Sequence, residues 1–105
     1  MSRNLQELVI KDAAAEEPYG IDWTDYLAEL GTGVEIQSSA WTVTGPDTAL
    51  VTSNETVLAG LKTKAFLKGG TAGASYTVKN RIITNSTPTV KDSRSFDVYI
   101  ETPAQ

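Results

Sequence analysis

Apolar and polar residues alternate along most of this chain with a period of two, the repeat of a strand that turns one face inward. The clearest run is Ser75 to Thr84, where Tyr76, Val78, Asn80 and Ile82 share one face and Thr77, Lys79, Arg81 and Ile83 the other. Ser95 to Glu101 repeats the pattern with Phe96, Val98 and Ile100. The same period runs from Val34 through Ile36, Trp41 and Val43, and Ser38-Ser39 predicts a bulge or bend within it. After the Gly45-Pro46-Asp47 turn, Ala49 to Thr52 gives a short strand and Asn54-Glu55 reads as another turn. Between Val57 and Leu67, Thr63, Ala65 and Leu67 alternate with lysines and Phe66. Tyr19 to Trp23 reads as a first strand, followed by a short helical turn over 26–30 that Thr24 or Asp25 would cap.

Gly69, Gly70 and Gly73 form a corner between two strands, where a backbone with positive φ is needed. Tyr76 opens the next strand in the place of a corner tyrosine, its ring buried and its hydroxyl returned to a nearby backbone group. Short strands separated by frequent turn signals predict an all-β fold: a single immunoglobulin-like (fibronectin III-like) β-sandwich of about seven strands. Its expected core is Trp41, Val43, Tyr76, Val78, Ile82, Phe96, Val98 and Ile100.

Residues 1–18 are set apart as an N-terminal arm and 19–102 as the sandwich domain. In the arm, Leu5, Leu8 and Val9 have helical spacing until acids and Pro18 break it. Such a segment is either a frayed terminus or a docking element. If it docks, Leu5, Leu8, Val9 and Ile10 are the candidate partner contacts. Trp23 and Tyr26, at the junction of arm and body, either pack beneath the arm or meet a partner.

A chain of 105 residues fits one domain. It has no cysteine and no histidine, which removes disulfides, thiolate metal sites, Ser-His-Asp and Cys-His catalysis and histidine-based zinc chemistry. The absence of cysteine suits a reducing compartment such as a cytoplasm. Residues 1–35 hold eight acids and two bases and residues 36–105 five acids and seven bases, so an acidic balance argues against a nucleic-acid partner. Lys62, Lys64, Lys68, Lys79 and Arg81 are either a weak basic stripe or strand lysines that keep the surface soluble. No apolar run approaches the ~20 residues of a membrane span, and no signal-peptide pattern opens the chain.

Asp22 and Asp25 lack the spacing of a calcium loop and sit where acids cap a helix start. The glycine corner is followed by a strand, whereas a phosphate cradle needs a helix. Trp41 is either a ligand platform or a core element of a sandwich, and Asp92-Ser93-Arg94 reads as a turn with a charge pair. Neither a catalytic residue nor a metal or cofactor site is assigned.

In order along the chain stand Lys11-Asp12-Ala13, Tyr19-Gly20-Ile21-Asp22-Trp23-Thr24-Asp25-Tyr26-Leu27, and Ile36 with Ser38-Ser39-Ala40-Trp41-Thr42-Val43. Then come Gly69-Gly70-Thr71-Ala72-Gly73, Tyr76-Thr77-Val78-Lys79-Asn80-Arg81-Ile82 and Arg94-Ser95-Phe96-Asp97-Val98. This set resembles a family of small tailed-bacteriophage virion proteins, the fiber-tail adaptors. Members often carry proline after the arm aspartate, where this chain has Ala13, and residues 47–66 match only in length and character. The resemblance implies a non-enzymatic structural protein of the virion, made in the host cytoplasm and placed in the tail or neck. It would link a tail or connector ring to fibers or neighbouring tail proteins, with copies of itself in a ring, and with no nucleic acid, membrane or small-molecule substrate. Two other classes remain open: a capsid decoration protein and a carbohydrate-binding module.

Overall fold

The computed structural model describes residues 8–101. Seven strands and one short helix follow in the order β1 (Leu8–Asp12), β2 (Glu16–Asp22), α1 (Thr24–Leu30), β3 (Ile36–Thr44), β4 (Leu50–Leu58), β5 (Lys62–Gly69), β6 (Ser75–Thr84) and β7 (Lys91–Glu101). They form two sheets, β1-β7-β6-β3 and β2-β5-β4. All neighbours pair antiparallel except β1, which runs parallel to β7 with Val9 opposite Val98 and Lys11 opposite Ile100. The fold is therefore all-β, in two layers.

Residues 8–12 and 16–18, within the segment expected as an arm, are strands of these sheets, joined by a turn over 13–15. Leu5 lies outside the described residues. The helical spacing gives way because Val9 and Ile10 are β-branched and alternate with their neighbours: Leu8 and Ile10 face out, Val9 and Lys11 face in. Backbone groups along the edge of β7 complete the ladder. Glu16 to Asp22 extends the expected first strand backwards by pairing residue for residue with Lys68 to Lys62, and it ends at Asp22 rather than Trp23.

The expected bulge near Ser38-Ser39 is present as a register shift between Ile36 and Ser38. Asn54-Glu55, expected as a turn, is a bulge within the longer β4, where Asn54 has a positive φ of 51°. The chain reverses instead at Ala59-Gly60, closed by the Leu61 N–H donating to the Leu58 carbonyl at 3.0 Å. Helix α1 is not capped by Thr24 or Asp25. Asp22 accepts from both the backbone N–H and the hydroxyl of Thr24. Those bonds, the hydroxyl's first, hold the Asp22 carboxyl below its ordinary range.

Two clusters replace the single expected core. The larger lies between the sheets and holds Trp41, Leu50, Ala65, Leu67, Tyr76, Val78, Phe96, Val98 and Ile100, with Val9, Tyr19 and Val43 against it. The smaller sits under α1 and joins Trp23, Leu27, Ile36 and Ile82. Ile82 thus belongs beneath the helix, because β6 is long enough to serve both clusters. At the glycine corner, a Cβ on Gly69 would stand 2.5 Å from the Ala49 carbonyl oxygen, at a φ of 82° that favours glycine.

Candidate functional site

The described candidate residues fall into two separate places. The first is the β1 edge. Period-two geometry on a sheet's outermost strand leaves Leu8 66% and Ile10 50% exposed, and Tyr99, beside Ile10 on β7, is 37% exposed. These three form an apolar strip on the outer face. Val9 points the other way and packs against the larger core, so it is not part of that strip. Lys11, also inward, is fully buried and holds β1 in place: its amine donates to the Asp12 and Gly69 carbonyls, both at 2.9 Å. Burial lowers its pKa, opposed by the charges of Glu17, Asp12 and Glu16.

The second place is the corner where β2 enters α1. Trp23 is completely buried, and its indole N–H donates to Asn80 Oδ1 at 3.0 Å. Asn80, buried in the middle of β6, uses all of its hydrogen-bonding groups. Its oxygen also accepts from the Thr63 hydroxyl at 2.6 Å, and its amide donates to Ser39 Oγ at 2.8 Å and the Ala40 carbonyl at 3.1 Å. One side chain thus ties both sheets to the helix corner. Over the indole, the Arg94 guanidinium stacks at 4.4 Å from the ring centroid and donates to the Asp22 carbonyl at 3.1 Å. Tyr26 meets Trp23 edge-on at 5.5 Å and stays partly exposed; burial, then Asp92 accepting from its hydroxyl, raises its pKa. Of the two alternatives for Trp23, the geometry realises packing, beneath Arg94 and α1 rather than an arm.

At the opposite end the corner tyrosine behaves as expected of its position. Tyr76 OH accepts from the Thr71 backbone N–H at 3.0 Å and donates to Asp47 Oδ1 at 2.6 Å. Asp47 also accepts from the Ala49 N–H and the Thr71 hydroxyl, fastening the β3–β4 loop to the β5–β6 corner. The Tyr76 hydroxyl foremost, with those two donors, holds its carboxyl below the ordinary range.

Sequence reasoning missed Lys11 and Asn80. Asn80 was legible only as a polar residue on an otherwise apolar face, and Lys11 only as a cation among strand-forming residues. Among the described residues there is no cluster of three metal-ligating side chains and no helix long and apolar enough to cross a membrane. Both tryptophans are buried, at 0% and 7% exposure, so neither offers a flat platform to a sugar ring. A depression of about 160 Å³ between β3 and β4, lined by Ser39, Glu55, Thr56 and Val57, is open and shallow.

The geometry defines a small all-β protein with a satisfied polar network inside and exposed apolar side chains on the β1 edge and, with Val51, Val57 and Leu58, on β4. The chain belongs to the family described as podophage GP4 fiber-tail adaptor protein gp77, whose model matches residues 11–99. That span runs from Lys11 to Tyr99 and so takes in nearly every element of both sheets. No curated protein matches the chain.

Proposed function

We propose that this chain is a non-enzymatic structural component of a phage tail, joining the tail or its connector to the fibers, with several copies arranged around the tail. The family match over residues 11–99 carries this reading. The architecture supports it in two ways. First, strand order β2-β5-β4 against β7-β6-β3, with a corner tyrosine opening β6, supports the reading of an immunoglobulin-like sandwich whose first strand lies in the opposite sheet. Such a sandwich is a rigid spacer. Second, the strip of Leu8, Ile10 and Tyr99 provides an apolar surface for a neighbouring virion protein, with partly exposed Tyr26 as a second contact at the far corner.

The test is complementation of particles lacking this protein with wild type or with Leu8→Lys/Ile10→Lys. Wild type restores fiber attachment and appears in purified tails. The double variant, folded to the same melting temperature, is left out of the particle. Fibers that attach normally in the complete absence of the protein would contradict the adaptor role.

A further inference from the structure

We propose that the β1 edge receives a second copy of this chain by strand addition, the two β1 strands lying antiparallel with Val9 opposite Val9. The inference names the occupant of the apolar strip and rests on the reading of that strip as an assembly contact. Among the described residues, two open sheets leave four edges, β1, β3, β2 and β4. Three of them oppose pairing. An exposed Pro18 interrupts the donors of β2 at mid-strand, behind Glu16 and Glu17. A bulge at Asn54-Glu55 distorts β4, and β3 is bulged after Ile36 and lies against β4. Over Leu8-Val9-Ile10, β1 has no proline, bulge or charge, so this segment is where the edge is open to a partner strand.

A second copy brings the same four edges, so the matching unguarded edge is its own β1 and the contact is two-fold. In the register centred on Val9, Leu8 of one copy stands opposite Ile10 of the other, and no like charges meet. Since Tyr99 flanks Ile10 and Asp97 flanks Leu8 within each sheet, the outer face then carries continuous rows of Tyr99, Ile10 and the other copy's Leu8. The two four-stranded sheets would become one of eight. The contact is far smaller than the ~1,600 Å² of a standard interface, so it is weak in dilute solution and strengthens with the local concentration of copies.

The chain has no cysteine, so introduced thiols report without background. Leu8→Cys/Ile10→Cys places thiols opposite each other twice across the two-fold, at a cross-strand Cβ separation of about 4.5–5.5 Å. Under mild oxidation the double variant is expected to close into covalent dimers on the order of tenfold faster than Val51→Cys, an exposed apolar position on β4. Equal rates, or a ladder of higher oligomers, would overturn the two-fold pairing. Hydrogen exchange on the wild-type chain gives an independent reading: amides of Leu8 to Ile10 gain protection as concentration rises, and protection independent of concentration contradicts the proposal. If copies do not pair but Leu8→Lys/Ile10→Lys is still excluded from particles, the pairing is wrong and the adaptor reading stands.

Discussion

The surroundings of Asn80 and the edge strand β1 place residues against their usual preference in opposite senses. Around Asn80 a polar side chain lies wholly inside and every one of its groups is bonded; along β1 two large aliphatic side chains lie largely outside and touch little. A buried polar group stabilises only when it is satisfied, and it then fixes a unique arrangement because no alternative packing offers the same partners. An exposed aliphatic adds nothing to the monomer and gains free energy only when something covers it. The first region holds the fold, and the second is available for contact.

The contrast is broken most severely by Trp23→Ala, which empties a fully buried indole site and should cost about 3 to 5 kcal/mol in urea unfolding. A loss under about 1 kcal/mol would mean that the corner is not part of the core. Asn80→Ala should cost about 1 to 3 kcal/mol, because the Trp23 N–H and Thr63 hydroxyl lose their shared acceptor. A finer comparison uses the two tryptophans: Trp23 N–H is bonded, whereas Trp41 Nε1 is buried without a hydrogen-bond partner among the described residues. Trp23→Phe should therefore destabilise by about 1 kcal/mol more than Trp41→Phe. Equal losses would mean that the Asn80 bond contributes nothing net.

Acid should act at the far end. The Asp47 carboxyl has a folded pKa below its unfolded value, so its contribution is present above the ordinary carboxylate range and is lost as pH falls through the lowered value. Asp47→Asn should flatten the acid side of the melting profile and leave the neutral side parallel to wild type. Smallest of all, Ile10→Lys should change monomer stability by no more than about 0.5 kcal/mol, the range of an exposed site.

How much of this was legible in the sequence depended on how local the cause was. β6 and its alternation were readable to the residue, because period two acts along the strand itself. The tyrosine corner was readable because three glycines and Tyr76 lie within eight residues. The β1 strand was not: five residues form a strand only because the edge of β7, about ninety positions later, supplies their partners. The same holds for Asn80, whose bonds reach residues 17 to 57 positions away. Leu8 and Ile10 were picked out as contact candidates by their hydrophobicity, but their exposure, and the inward turn of Val9 between them, needed the sheet.

The adaptor account is tested most directly by a reconstruction of the tail with its fibers. It predicts density for this chain between tail and fiber base, with Leu8, Ile10 and Tyr99 covered by protein. Density on the capsid surface, or a chain in the tail whose β1 edge faces solvent, would contradict it.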